Sequence, residues 1–349
     1  MSPRIGRHNF VRFCSRVALR CAIAISIFVV EGCESQPKVG SELRRTGDEI
    51  VIAGRLIHTG APVVLWTDPG GYDGYRTEKR FAPPATPTGN KAQQAEPAAR
   101  FDSRAKDSPL AETTHGGNWS LNQLRGQIDQ IVLHYDASGT SRQCFRTLHD
   151  VRGLSIHFMV DLDGTIYQTL DVKERAWHAT KSNSRSIGIE IANIGAYPSE
   201  SPVLEKWYTR DERGLYVTLP PEFGDGGIRT PGFVARPRRS DFVRGEVHGQ
   251  ILVQADYTAQ QYASLASLLA ALHIALPEIP LESPRGPMST TLSRCLTDEE
   301  WAEFKGVLGH SNIQRNKIDP GPALDWDFLL WLARKKLDQP IKFESVDGS

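Results

Sequence analysis

The sequence predicts an α/β (α+β) domain built on a single mixed β-sheet that is flanked by helices. Residues 131–133, 156–160 and 187–191 form three strand-like runs, and the first is continuously apolar, as in a strand covered on both faces. Two later segments, residues 262–276 and 326–337, carry apolar side chains at helical spacing. Strand-like and helix-like segments intermix along the chain, which is typical of one layered domain.

The first 33 residues predict an export signal. Four arginines and no acidic residue occupy the first 16 positions, and an apolar run follows at residues 21–30. That run is shorter than the roughly 20 apolar residues that span a bilayer, but it suits a signal peptide. It ends in Gly32-Cys33, which resembles the lipobox of bacterial lipoproteins, in which the cysteine is acylated. We expect an exported, periplasmic or cell-envelope protein with a lipid anchor at Cys33; an ordinary cleaved signal or an uncleaved anchor is the alternative.

Three segments of different composition follow the signal. Residues 34–48 are predicted to be a polar tether. Residues 49–82 contain two β-rich runs broken at Thr59-Gly60, and we interpret them as a small β element of unassigned function. Residues 83–118 are rich in proline, alanine, glycine and polar residues, and are predicted to be a linker or a surface loop.

Charge and cysteine content narrow the function classes. Lys+Arg and Asp+Glu balance at 41 each, which argues against the single-sign field of a nucleic-acid binder. Outside the first 33 residues only Cys144 and Cys295 remain, and they can pair in an oxidising compartment. No patterned base accompanies Cys144, so it is a poor candidate for a nucleophile.

Several connections have distinctive signals. Asp163-Gly164 predicts a hairpin between strands at 156–160 and 165–170, and residues 142–151 can form a helix. Residues 197–254 are far longer than an ordinary connection and are predicted to be an insertion. Residues 283–297 form a second, shorter one.

Two polar side chains stand out on the predicted strands. His134 ends the buried run at 131–133, where a polar group needs a partner or a function; a structural histidine is the alternative. Strand alternation places Glu190 on one face with the small residues Gly188 and Ala192, which leaves open space around the carboxylate. The alternative is a solvated glutamate on a half-exposed sheet.

A third group follows His310. Pro320 favours an extended backbone at Asp319, so Lys317 and Asp319 point to the same side and offer an ammonium and a carboxylate to one site. The alternative is a structural role, in which the aspartate begins a turn before a Pro-Gly corner.

These residues lie within six motifs that occur in the same order in type 2 zinc amidases, a family that includes muropeptide amidases, phage lysozyme-type amidases and peptidoglycan recognition proteins. The motifs are IVLHYDAS, SIHFMVDLDGTIYQ, AWHA, SIGIEIAN, Gly309-His310 and KIDPGPALDW. The resemblance covers about residues 127–335 without the insertion. It implies an amidase domain over residues 119–338, followed by a C-terminal tail at 339–349.

The resemblance also implies the site. A Zn²⁺ ion would be held by His134, His310 and Asp319 with water in the fourth position, as zinc chemistry expects of a catalytic centre. By the same position-by-position match, Glu190 would be the general base and Lys317 would stabilise the oxyanion.

Other members of the motifs have less defined roles. His157, His178 and Trp177 can line the site or orient the metal ligands. The number of histidines also leaves open a rival zinc triad of His134, His157 and His178.

The implied activity is hydrolysis of the amide bond between N-acetylmuramic acid and L-alanine in peptidoglycan or muropeptides. A peptidoglycan-binding protein without activity and a zinc hydrolase of another amide or ester are the alternatives. Retention of all three implied ligands favours an enzyme, and export favours a cell-wall substrate. The insertion carries Arg236, Arg238 and Arg239, and we expect this loop to wall the substrate groove and bind stem-peptide carboxylates; a solvated surface excursion is the alternative.

Overall fold

The computed structural model describes residues 39–40, 45–81, 98–104, 118–199 and 201–338. The strands are β1 (Glu49–Ile52), β2 (Arg55–His58), β3 (Val63–Leu65), β4 (Phe101–Ser103), β5 (Gln130–Tyr135), β6 (Phe158–Val160), β7 (Ile166–Gln168), β8 (Glu174–Ala176), β9 (Ser186–Ile191), β10 (Tyr208–Asp211), β11 (Gly214–Val217), β12 (Val243–Val247), β13 (Gln250–Gln254) and β14 (Gly306–Gly309). The α-helices are α1 (Leu121–Gln127), α2 (Ser141–Phe145), α3 (Pro202–Trp207), α4 (Ala259–Ala275), α5 (Asp298–Glu303) and α6 (Trp326–Leu337).

Some of the predicted segments lie outside the described residues. These are the signal peptide with Cys33, most of the tether, most of the predicted linker and the C-terminal tail. Within the part of the chain that the structure describes, no helix combines the length and the apolar character that a bilayer crossing requires.

A six-stranded sheet forms the centre of the fold, in the order β14-β5-β9-β6-β7-β3. The first four strands in this order run parallel, β7 is antiparallel to β6, and β3 is parallel to β7. The apolar run of β5 is buried on both faces, since Ile131, Val132 and Leu133 are all 0% exposed. The predicted class, a mixed sheet flanked by helices, is confirmed.

The predicted hairpin joins β6 and β7. The two strands pair antiparallel, and Gly164 between them has a positive φ of 84°. A Cβ at this position would also lie 2.8 Å from the carbonyl oxygen of Gln260, so both the turn and the close approach require glycine. The Asp163 carboxylate accepts the backbone N–H of Thr165 and completes the turn.

The two faces of the central sheet are covered differently. Ile131 and Leu133 of β5 and the three isoleucines of β9 belong to the main apolar cluster, which includes residues of α4 and α6. The intervening positions, among them His134 and Glu190, point to the opposite face because side chains alternate along a strand. The site therefore lies on the face away from α4 and α6.

Helix starts follow capping signals in the sequence. Ser120, Thr258 and Thr297 form capping boxes at α1, α4 and α5, in which the cap hydroxyl and a Gln or Glu three residues later satisfy the free backbone N–H groups. The helix expected at residues 142–151 is α2 continued by a π-helical segment, Arg146–Arg152.

The N-terminal β element is part of the main domain. β3 is the edge strand of the central sheet beside β7, and β1 and β2 form a hairpin next to it. Gln168 of β7 binds both backbone groups of Val51 at 2.7 Å. These long-range side-chain contacts fix the hairpin on the domain. Local sequence patterns do not indicate them.

Part of the predicted linker is also structured, and the prediction is wrong for residues 98–104. β4 pairs antiparallel with β8, and Arg104 is 0% exposed. Its guanidinium donates hydrogen bonds of 2.9–3.2 Å to the backbone carbonyl oxygens of Val172, Asn183, Ser184 and Ser186. The buried guanidinium is tolerated because these acceptors replace water.

The insertion at residues 197–254 is a folded unit rather than an open loop. It contains α3 and the hairpins β10–β11 and β12–β13, and it has its own apolar cluster around Leu204, Trp207 and Leu215. Its two ends meet, since Tyr197 and Val253 exchange both backbone hydrogen bonds at 2.7–2.9 Å.

Candidate active site

The site begins where two neighbouring parallel strands end. His134 is near the C-terminal end of β5, and His310 directly follows β14. The register pairs Gly309 with Leu133, so the two histidines leave the sheet at the same edge. Asp319 reaches this edge from the loop that precedes α6, and the hydrogen bond from the N–H of Ser311 to the Asp319 carbonyl, 2.9 Å, ties the loop to His310.

Three side-chain atoms converge at this edge. His134 Nδ1 lies 2.9 Å from Asp319 Oδ2, His310 Nδ1 lies 3.0 Å from the same oxygen, and the two Nδ1 atoms are 3.0 Å apart. All three residues are buried. The near-equal separations form a compact triangle of potential ligand atoms.

The outer ring nitrogens define the tautomers. His310 Nε2 lies 2.6 Å from the side-chain oxygen of Gln314, to which it donates. His134 Nε2 lies 3.1 Å from Nδ1 of His178, whose own Nε2 faces the Ser186 hydroxyl at 3.3 Å. We therefore assign both inward Nδ1 atoms as lone-pair acceptors. Two such nitrogens and a carboxylate oxygen repel one another unless a proton or a metal cation lies between them, so the group fits a metal ion.

The protonation states also suit metal binding. Burial, together with the charge of the neighbouring His310, lowers the pKa of His134 to about 4. Burial alone would raise the pKa of Asp319, but the neighbouring imidazoles of His310 and His134 hold it below its ordinary value. Neutral imidazole and ionised carboxylate are the forms that bind metals.

Glu190 lies beside this group. It is directly opposite His134 in the β5–β9 register and is only 8% exposed, which excludes the alternative of a solvated carboxylate. Burial raises the pKa of Glu190 well above its ordinary value, and the charge of Asp319 raises it further. Among the described residues, Glu190 Oε2 has no hydrogen-bond partner. Such a buried, unpartnered carboxylate oxygen in a cluster of titratable groups is typical of a functional site.

The open space expected beside Glu190 is filled at Gly188. A Cβ on Gly188 would lie 2.6 Å from His178 Nδ1 and 2.4 Å from Ile156 Cδ1. Gly188 therefore allows the His178 ring to reach His134, and the expectation of open space is wrong at Gly188.

Lys317 lies near the same site. The residue is half-buried, and its charge is among those that lower the pKa of both His134 and Glu190. This edge of the sheet thus brings together two imidazoles, two carboxylates and an ammonium.

The remaining predicted residues lie at different distances from this group. His178 contacts His134, as described above. His157 Nδ1 accepts the N–H of Gly188 at 3.0 Å and its Nε2 lies 3.0 Å from the carbonyl of Glu174, while the Trp177 indole donates to Asp102 at 3.1 Å. Both ring nitrogens of His157 are thus engaged by the backbone, so the rival triad is not assembled.

The arginines of the insertion are paired within the chain. Arg236 binds Asp211 at 2.9 Å, and Arg238 binds Asp325 at 2.5 Å. Arg239 binds the buried Asp256 at 2.7 Å. Each of these guanidinium groups thus binds a carboxylate of the chain itself, and their binding of substrate carboxylates stays a prediction.

The two cysteines outside the signal are both free. Cys144 lies in an apolar cluster with Phe145 and Met159, and burial raises its pKa well above the ordinary value. A thiol in this state is a poor nucleophile, in agreement with the sequence analysis.

One contributor, Gln314, was not predicted from the sequence. It binds the outer nitrogen of His310, and its spacing of four residues from that histidine is the single local signal that could have indicated it.

A family model described as N-acetylmuramoyl-L-alanine amidase matches residues 124–322, more than half of the chain. No curated protein matches the chain in sequence.

Solved structures to which this chain is similar include a selenomethionine derivative of AmpD, with 18% identity and a TM-score of 0.32 over 67% of this chain and 90% of that one. AmiD from E. coli, in complex with the substrate anhydro-N-acetylmuramic acid-L-Ala-D-γ-Glu-L-Lys, has 19% identity and a TM-score of 0.32 over 59% of this chain and 57% of that one. AmpDh3 from Pseudomonas aeruginosa, in complex with anhydromuramic pentapeptide, has 19% identity and a TM-score of 0.33 over 59% of each chain.

The matched residues include the strands that carry His134 and Glu190, and also His310 and Asp319. The chain therefore belongs to the type 2 N-acetylmuramoyl-L-alanine amidase family, whose members hydrolyse an amide bond in peptidoglycan.

Proposed function

We propose that this amidase is zinc dependent and cleaves the bond between N-acetylmuramic acid and L-alanine in peptidoglycan or muropeptides. The observation that carries the proposal is the triangle formed by His134 Nδ1, His310 Nδ1 and Asp319 Oδ2, with the buried Glu190 beside it. A centre of two imidazoles and one carboxylate is a common donor set for a catalytic zinc.

The chemistry divides between the metal and the protein. Zn²⁺ held by His134, His310 and Asp319 would lower the pKa of a bound water to about 7 and polarise the scissile carbonyl. Glu190 is the proposed general base. Its raised pKa keeps it basic enough to take a proton and lets it deliver that proton to the leaving amine.

Lys317 is the proposed electrostatic partner of the oxyanion. Two hydrogen bonds hold the backbone of Lys317 at the edge of the site. Its N–H donates to the carbonyl of Gln314 at 3.1 Å, and the carbonyl of Lys317 lies 2.9 Å from His248 Nε2. A cation fixed in a largely buried site stabilises the negative charge that develops on the carbonyl oxygen.

Product analysis tests the proposal. We expect purified sacculi digested by the full chain to release stem peptides with a free N-terminal L-alanine, identified by mass spectrometry, and to leave the glycan strands intact. Binding to sacculi without any product would favour the non-catalytic alternative, and release of sugar fragments or cleavage elsewhere would indicate another hydrolase.

Replacing Lys317 with methionine should reduce kcat about 10²–10³-fold, by analogy with removal of other oxyanion donors. Zinc content should not change, because Lys317 is not a proposed ligand and methionine has a similar length. Lys335→Met, on the exposed side of α6, is the matched control. Wild-type kcat in Lys317→Met would remove this lysine from the mechanism.

The proposed location comes from the sequence pattern. We propose that the chain is exported and acylated at Cys33, which would hold the enzyme beside its wall substrate. Metabolic labelling with a radioactive fatty acid tests this, and a wild-type chain without label, or a Cys33→Ser chain that still carries it, contradicts the anchor.

A further inference from the structure

The insertion contacts the loop that carries Asp319. We call residues 317–323 the Asp319 segment. Two residues of the insertion's second hairpin and one residue just beyond it bind this segment. His248, at the β12–β13 turn, lies 2.9 Å from the carbonyl of Lys317, and Gln254 and Tyr257 both donate to the carbonyl of Pro320, at 3.2 and 2.7 Å.

Gln254 is the most connected of these residues. It is 0% exposed, and its side-chain oxygen accepts the N–H of Ala323 at 3.0 Å while its amide donates to Pro320. One amide group therefore binds the Asp319 segment on both sides of Gly321. Because both partners are backbone groups, the contact holds the path of the chain rather than one side chain.

Packing leaves the segment little freedom. Gly321 has a positive φ of 80°, and a Cβ there would lie 2.2 Å from the Gln254 side-chain oxygen. A Cβ on Gly245 of β12 would lie 2.7 Å from Pro322. The hairpin and the segment thus approach as closely as glycine allows.

The same amide reaches the other strand ends. Gln254 Nε2 also donates to the side-chain oxygen of Asn193 at 3.2 Å, and the N–H of Asn193 donates to Asp136 at 3.1 Å. Asn193 follows Glu190 by three residues and Asp136 follows His134 by two. A continuous path of hydrogen bonds, buried at Gln254 and Asn193, therefore joins the three chain segments that carry His134, Glu190 and Asp319.

We infer that Gln254 is a positioning residue, which holds Asp319 in register with the two histidines and makes the insertion a support of the metal site. The inference rests on the proposed zinc site. Groups that orient metal ligands typically change metal affinity about 10–100-fold when they are replaced. Gln254 does not touch the ligands, so it acts through the backbone on both sides of Gly321.

The test compares two buried glutamines. Gln254→Met keeps the side-chain volume and removes the hydrogen bonds to the Asp319 segment. Gln168→Met is the matched control, because Gln168 is equally buried and binds the backbone of Val51 on β1. The zinc dissociation constant of each full-length chain is measured by competition with a chromophoric chelator, and the zinc-induced shift in Tm is recorded.

We expect Gln254→Met to raise the zinc dissociation constant about 10–100-fold, while Gln168→Met lowers the metal-free Tm and leaves the dissociation constant at the wild-type value. Tyr257→Phe, which removes one hydroxyl from the same carbonyl, should raise the constant by a smaller factor and serves if Gln254→Met does not fold. An unchanged constant in the Gln254 and Tyr257 variants, or equal increases at Gln168, would overturn the inference while the zinc site stands. A wild-type chain that binds no zinc would overturn both.

Discussion

Replacing His310 with alanine should abolish zinc binding and nearly all turnover. The substitution removes one of the three converging ligand atoms and leaves His134 and Asp319 with an unfilled position. Loss of a metal's transition-state stabilisation, several kcal/mol, corresponds to at least about 10³-fold in rate. Elemental analysis should find about one zinc per wild-type chain and almost none in the variant, with kcat measured on the same samples.

A histidine outside the site provides the control. His273 lies on α4 and binds the backbone carbonyl of Ile279, so His273→Ala should keep both zinc and activity. Stoichiometric zinc and wild-type kcat in His310→Ala would refute the proposed metal centre. Full activity of the wild-type chain after rigorous metal removal would do the same.

Glu190→Gln should separate zinc binding from chemistry. Gln keeps the shape of the side chain but cannot take the proton, and general acid–base groups contribute about 10²–10⁴-fold to rate. We therefore expect a fall in kcat of this size with the zinc content unchanged. The fold should tolerate the change, because burial already disfavours the charged carboxylate at this position.

The matched control is Glu205→Gln on the exposed side of α3, which should leave kcat and zinc content unchanged. Two outcomes at Glu190 would contradict the assignment. Near-normal kcat would mean that another group handles the proton, whereas loss of zinc would make Glu190 a metal ligand.

Much of the fold could be predicted because its signals are local. The continuous apolar run of β5 reports burial on both faces, and Asp163-Gly164 supplies the left-handed residue that a tight hairpin needs. The helical spacing of apolar residues predicts the α4 and α6 helices. Each signal depends on neighbours within a few residues, which a sequence displays directly.

The segments before residue 119 could not be predicted in the same way. Arg104 looks like any surface arginine, yet it is buried among four backbone carbonyls that come from distant positions. β3 is only three residues long and gains its place from β7, about 100 residues later in the chain. Long-range pairing of this kind leaves no mark in local composition.

By itself, the sequence determined the site's candidate members and the order of the motifs that contain them. We could name His134, His310, Asp319, Glu190 and Lys317 because each lies in a motif that resembles the amidase family, and residue type sets the chemistry that each can perform. Only the tertiary structure decided how they are arranged. It buried Glu190 opposite His134, excluded His157 from the metal group, and paired the insertion's arginines with carboxylates of the chain. The physical reason is that distance and burial set pKa, hydrogen bonding and ligand geometry, and both depend on segments that meet only when the chain is folded.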